Sequence, residues 1–250
     1  YKDAIQELFQ INIAFSKSRG YYIENTTDFQ RNELRKWPIS TFAVNNLINE
    51  GVHLRKHIGF EPMPSGQQYL TTILEAIRDG VRLRVTHQGF SKSEAKSFTI
   101  APYGLKVFKQ RWYVLAQSEY PDGRLLVYSL DRFTEVERTD ISYTIPSDFD
   151  INEHFRSFYG VSSLSNAQPE IVQLRIDASQ VKFFRTLPLH HSQEEIETTD
   201  AYSVFQYYLV PTFELTKEIL SNGPYVEVLR PLSLREEIQS KVKKMAEMYK

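Results

Sequence analysis

From Val81 to Asp140 the chain alternates apolar and polar residues through five short segments, VRLRVTHQ, SFTIAPYGLKVF, RWYVLAQSEY, RLLVYSLDRF and TEVERTD, parted by turns such as Pro121-Asp122-Gly123. Period-two alternation sends successive side chains to opposite faces of a strand, so each segment can bury one face and keep the other wet. In the first, Val81, Leu83 and Val85 oppose Arg82, Arg84 and Thr86. Five such strands in so few residues predict a small β-barrel. It is entered through the helix QQYLTTILEAIRDG, with Leu70, Ile73, Leu74 and Ile77 on one face and a stop at Gly80.

Within this unit RWYVLAQ sets Trp112, Val114 and Ala116 against Tyr113, Leu115 and Gln117, and one of those faces is expected to be core. In LVYSLDRF the same alternation puts Tyr128, Leu130 and Arg132 opposite Ser129, Asp131 and Phe133. An arginine flanked by aromatics suits an anionic or planar ligand, through charge-assisted hydrogen bonds and stacking. The spacing equally fits Asp131 and Arg132 as an ordinary ion pair at a turn edge.

The opening segment has Ala4, Ile5, Leu8 and Phe9 at helical spacing, then Ile11, Ile13 and Phe15 at strand spacing. A polar tip from Ser16 to Gly20 leads to Tyr21, Tyr22 and Ile23, so a helix beginning at Tyr1 and Lys2 is followed by a hairpin with a cationic tip. Helix then hairpin is the last half of a winged helix. Lys17 and Arg19 are then either wing contacts to DNA phosphates or solvated turn residues. Because the chain opens inside a helical pattern without a methionine, further helix-turn-helix residues are expected upstream, and these residues alone are expected to bind DNA poorly. Residues 26–66 read as a helical linker ending in EPMPSG. His53 and His57 share a helical face there, but no third ligand accompanies them, so they read as solvated or core histidines.

After a second linker, 143–168, the order EIVQLRID, SQVKFFRTLP, EEIETTD, SVFQYYLV, TFELTKEILSNG, YVEVLRP and SLREEIQSKVKKMAEMYK reads β-α-β-β-α-β-α. That is a ferredoxin-like order with an extra helix. The last helix carries Leu234, Ile238, Val242 and Met245 in a stripe that packs on its own sheet or on a second copy of the chain.

The 250 residues are 41% hydrophobic and 24% charged, the profile of folded globular units rather than a disordered chain. No cysteine is present, which excludes disulfides, thiolate zinc and a cysteine nucleophile, and fits a reducing cytosol. No apolar run approaches the roughly 20 residues a membrane helix needs. The net charge of -1 provides no whole-molecule attraction to phosphate, so nucleic-acid contact needs a local basic patch. No phosphate-binding glycine loop, G-x-S-x-G elbow or H-E-x-x-H helix occurs. His190 and His191, near Glu194, Glu195 and Glu197, form the only dense group of proton-transfer types, and they read as an exposed loop at a helix-to-strand junction.

The run IAPYGLKVFKQRWYVLAQ followed by LLVYSLDRF resembles a WYL domain, with Trp112, Tyr113 and Val114 at the motif, Pro102 at the family proline and Leu130-Asp131-Arg132 at its LDR signature. Val114 departs conservatively from the leucine. The final unit, ending NGPYVEVLRPLSLREEIQSKV, resembles the C-terminal extension that follows such domains, and the opening segment resembles the end of the winged helix that precedes them. The resemblance implies an α+β chain with residues 1–25 the end of a winged helix, 26–66 a helical linker, 67–142 a WYL barrel of SH3- or Sm-like fold, 143–168 a linker and 169–250 the ferredoxin-like extension.

It further implies a bacterial transcriptional regulator, cytoplasmic and dimeric, that binds double-stranded DNA and senses a nucleotide or single-stranded nucleic-acid effector. It is expected to use no cofactor and to be no enzyme. By this resemblance Tyr113 and Arg132 fall at ligand-surface positions and His87 stands where many members have a tyrosine, while strand alternation adds Tyr128 beside Arg132 as a ligand contact. The family often has an arginine where this chain has Phe98, so anion binding is expected to be weaker there, shifted to Lys96 and Arg84, or lost. Lys2, Lys17 and Arg19 are the implied DNA contacts. Two other readings remain: a nucleic-acid-binding module serving defence or repair without transcriptional output, and a hydrolase built on His190 and His191.

Overall fold

The computed structural model describes residues 13–16, 20–23, 66–90, 94–119, 123–162 and 167–250. Two compact units divide the chain, Tyr1–Pro62 and Met63–Lys250.

In the first unit, β1 (Ile13–Ser16) and β2 (Gly20–Ile23) form an antiparallel hairpin in the register Ile13↔Ile23 and Ser16↔Gly20. The helix expected around Lys2, the tip residues Lys17 and Arg19, and the linker with His53 and His57 lie outside the described residues.

The second unit opens with a 3-10 turn, Gln67–Tyr69, and α1 (Leu70–Asp79). The left-handed Gly80 (φ 62°) ends α1, its N–H bonding back to the carbonyls of Ala76 and Ile77. The antiparallel strands β3 (Val81–His87), β4 (Lys96–Phe108), β5 (Arg111–Ser118), β6 (Leu125–Ser129) and β7 (Phe133–Ser142) follow in the sheet order β6-β5-β4-β3-β7. Ile73 and Ala76 of α1 pack on Leu83, Val85, Ile100, Val114 and Ala116, with Trp112 packed against them, so the even-numbered side of RWYVLAQ is core. Leu74, assigned to the buried face of α1 from its spacing, is 39% exposed, and Ala76 takes its place.

The sheet does not close into the expected barrel: its edges β6 and β7 form no ladder among the described residues. The 3-10 turn Leu130–Arg132 spans them, and the Gln88 N–H bonds the Arg132 carbonyl at 3.0 Å. Strand alternation therefore stops at Ser129, and Leu130 is buried in the core while Arg132 is not. β4 is long and bulged between Pro102 and Gly104, which relieves the missing proline N–H and bends the strand.

Residues 143–162 are not a free linker. Tyr143 donates to the Pro102 carbonyl, the Phe149 ring meets Tyr103 edge-on at 5.1 Å, and α2 (Ile151–Phe155) is capped by Asp150. Ile151 fills the space at Gly104, where a Cβ would lie 2.6 Å from its Cδ1.

The C-terminal part has β8 (Glu170–Asp177), α3 (Val181–Thr186), β9 (Glu194–Thr198), β10 (Tyr202–Leu209), α4 (Phe213–Ser221), β11 (Val226–Arg230) and α5 (Leu232–Glu247). Its sheet order is β11-β8-β10-β9, all antiparallel neighbours, the split β-α-β arrangement that its element order predicts. Val172, Leu174 and Ile176 pack with Phe205, Tyr207, Leu215 and Ile219. The α5 stripe divides: Leu234 is buried and Ile238 packs on the core, whereas Val242 and Met245 are about half exposed. Among the described residues no helix is long and apolar enough to cross a membrane.

Candidate functional site

The odd-numbered face of β5 looks onto a cleft of about 820 Å³. One wall is Arg111 and Tyr113 with Val127, Ser129 and Arg132, and the other is Val161, Ser162, Phe213, Glu214 and Lys217. Phe90 and Lys109 also line it. Arg111 and Tyr113 share this face because they are two residues apart on one strand. Arg132 joins them because the 3-10 turn releases it from the alternation that turns Tyr128 and Leu130 toward the core.

Arg132 is the cleft's distinctive cation. Its guanidinium carbon lies 3.8 Å from the Phe90 ring centroid, and its Nε is buried with no hydrogen-bond partner among the described residues. Arg111 is partly neutralised by Asp131, 3.3 Å away, which also accepts from the Ser129 hydroxyl. Lys109, in a tight β4–β5 turn with positive φ at Lys109 (44°) and Gln110 (65°), reaches Glu218 of α4 at 2.5 Å. Lys217 lies 5.6 Å from the Phe213 ring. Glu214 is the carboxylate of the lining; its Oε1 accepts from Ser162 Oγ at 2.7 Å, and its Oε2 is buried without a partner among the described residues.

Behind Tyr113, and opposite it in the ladder, stands Lys106. Its ammonium donates to the Gly160 carbonyl at 2.6 Å and lies 4.0 Å over the Phe155 ring. Burial pulls its pKa down to about 8, and the nearby Glu214 charge opposes that shift. Burial likewise raises the Tyr113 phenol above its ordinary value, leaving it protonated and able to donate at neutral pH. Cations beside exposed aromatic faces, with a phenol between them, suit phosphate and a planar base together.

The other expected ligand residues do not join this cleft. His87 and Tyr128 face the opposite side of the sheet, where His87 meets Tyr128 at 5.7 Å, Phe133 at 5.6 Å and Phe98 at 6.4 Å between ring centroids. The Tyr128 assignment beside Arg132 is therefore corrected: it assumed unbroken strand through the LDR triplet. Phe98 belongs to the same aromatic packing, 5.5 Å from Tyr128 between ring centroids. Arg84 lines a separate groove of about 460 Å³ with Glu119, Glu135 and Glu137, whose acidity opposes an anion. It pairs with Thr99 while Tyr113 pairs with Lys106, which separates the two by roughly 20 Å of β4. Lys96 starts β4 and lines neither cavity.

Arg111 was missed, although its spacing from Tyr113 could have revealed it. Phe213, Glu214 and Lys217 carry no local signal, since only tertiary packing brings α4 here. His190 and His191 are built in: their rings are 4.2 Å apart, and both Nε2 atoms approach the Arg156 carbonyl, at 2.7 and 2.9 Å. Both nitrogens must donate to that oxygen, which occupies them in holding the segment after α2. Burial lowers the His190 pKa. No cluster of three metal-ligating side chains occurs among the described residues.

Residues 68–138 match the WYL domain and residues 168–246 match the WCX domain. No curated protein matches the chain. Among solved structures it is similar to proteasome accessory factor B/C (PafBC) of Arthrobacter aurescens, at 17% identity and TM-score 0.38 over 95% of this chain and 38% of that one. A CRISPR Cas-related protein is similar at 13% identity and TM-score 0.44, over 73% of this chain and 52% of that one. The chain thus spans well under two thirds of each.

Proposed function

The chain belongs to the WYL domain-containing regulator family, carrying a WYL and then a WCX domain, and on that premise we propose that it is a ligand-responsive transcriptional regulator. The cleft beside β5 senses a nucleotide or single-stranded nucleic-acid effector, and the unit containing the β1–β2 hairpin contacts double-stranded DNA, with Lys2, Lys17 and Arg19 as its phosphate contacts. The protein works as a homodimer in the cytoplasm, needs no cofactor and catalyses no reaction.

One observation carries the sensor reading: the guanidinium of Arg132 lies over Phe90, beside Arg111 and Tyr113, with its buried Nε lacking a partner among the described residues. Burying a donor without a partner costs about 1–3 kcal/mol, and an anionic ligand repays that cost where water in a narrow cleft does so poorly. Phe90, 77% exposed, keeps ring surface open beyond the guanidinium for a base to stack on.

The test is fluorescence anisotropy with short labelled single-stranded oligonucleotides. Arg132→Ala is expected to weaken binding about ten- to a hundredfold, as loss of one charge-assisted contact implies, and Tyr113→Phe to weaken it several-fold. Wild-type affinity in both variants, in folded protein, would place the effector elsewhere.

A further inference from the structure

We propose that Glu214 makes the cleft selective for an effector base that presents two adjacent N–H donors, the guanine edge, over bases that present one. The proposal rests on the nucleotide reading of the same cleft.

A carboxylate among Lys109, Arg111, Arg132 and Lys217 repels phosphate and weakens the site for a bare polyanion. Its position is nonetheless firmly built. Thr212 caps α4, and Glu214 sits in the first turn, where the helix end favours negative charge. Gly160, at φ 98°, lets the backbone lie against it: a Cβ there would come within 2.8 Å of Glu214 Cβ and Cγ.

The carboxylate is also one donor short. Oε1 has the Ser162 hydroxyl, and Oε2 is buried with no partner among the described residues. Lys106, whose ammonium feels the Glu214 charge, does not supply the bond; it donates to Gly160 and makes no ion pair with Glu214. Turning the carboxylate into the cleft exchanges the single Ser162 bond for two bonds from a ligand.

Guanine N1–H and N2–H₂ match two carboxylate oxygens side by side. Adenine and cytosine set one donor next to an acceptor, and thymine sets its N–H between two acceptors, each of which a carboxylate repels. Phe213, the neighbouring residue and 64% exposed, offers the base a stacking face.

The experiment is calorimetric titration of the full chain with trinucleotides T-N-T in which N is guanine, hypoxanthine, adenine, cytosine or thymine. Guanine is expected to bind about tenfold tighter than adenine, cytosine or thymine, as a site built to receive a donor rejects analogues lacking it. Hypoxanthine, which keeps N1–H and lacks the amino group, falls between. Glu214→Gln brings guanine level with the others, and Ser162→Ala, which removes only the competing donor, preserves the preference. Equal binding of all five trinucleotides overturns the selectivity and leaves the nucleotide reading standing, as does a guanine preference that survives in Glu214→Gln. Failure of all five to bind removes the nucleotide reading and this inference with it. Where a variant fails to fold, the wild-type ranking still tests the proposal, because a missing guanine preference overturns it.

Discussion

Asp131 Oδ2 lies 3.3 Å from Arg111 Nη1, tying the strand that carries Tyr113 to the turn that carries Arg132. The Ser129 hydroxyl donates to the same carboxylate. One acidic side chain, only 12% exposed, therefore holds Arg111 against the turn from which Arg132 projects.

Asp131→Ala leaves the Ser129 hydroxyl and the Arg111 guanidinium without their acceptor. It is expected to lower stability by about 1–3 kcal/mol, seen as a shifted urea midpoint at unchanged slope. An unmoved midpoint would mean that the backbone bond from Gln88 to Arg132 holds the turn alone.

Salt dependence distinguishes the cleft from Arg84 and Lys96, the cations expected in place of the family arginine at Phe98. Each phosphate neutralised on a single strand contributes about 0.7 to the slope of log affinity against log salt. Arg132→Ala is expected to lower the slope magnitude by roughly that 0.7, while Arg84→Ala and Lys96→Ala leave it unchanged. A reduced slope in Arg84→Ala would return the effector to the acidic groove around Glu135 and Glu137.

Lys106 makes stability depend on pH in the alkaline range. Its folded pKa, lowered by burial from 10.5 to about 8, means that the unfolded chain binds more protons between those values. The burial penalty is full below about pH 8 and fades as pH rises toward 10.5, so this group's contribution becomes more favourable with pH. Lys106→Met is expected to flatten that rise in denaturation midpoints measured from pH 7 upward, over the range below the unfolded tyrosine pKa near 10. A parallel pH dependence in variant and wild type would exclude Lys106 as its source.

Gly66 combines φ 108° with a close approach: a Cβ there would lie 2.5 Å from the Leu130 carbonyl carbon and 2.8 Å from the Asp131 nitrogen. Gly66→Ala is expected to cost about 2–4 kcal/mol, from backbone strain plus displacement of the Leu130–Arg132 turn. Chemical denaturation measures it, and a loss below about 0.5 kcal/mol, the scatter typical of neutral surface changes, would show that the turn yields freely.

Much of the architecture is legible in local period. The alternation in VRLRVTHQ and RWYVLAQ correctly buries Leu83, Val85, Val114 and Ala116, and the C-terminal order of helices and strands matches the observed topology. The same rule misplaces Tyr128 relative to Arg132, because three residues of 3-10 turn interrupt the strand and nothing in the spacing marks the interruption. It also takes residues 143–168 for a linker, although they hold the helix Ile151–Phe155, since so short a helix and single aromatics such as Phe149 have no period to detect.

The amino-acid sequence by itself determined which segments become strands and helices, which face of each is apolar, and that an arginine and aromatics follow one another near the WYL motif. Those are properties of one element, set by side-chain period and turn chemistry over about ten residues. Tertiary structure alone decided that α4 stands across from β5, and so that Glu214 and Lys217 share a cleft with Tyr113 and Arg132. One contact that ties these walls, Lys109 to Glu218, joins residues 109 positions apart, a separation at which local pattern carries no information and packing of two cores decides what meets.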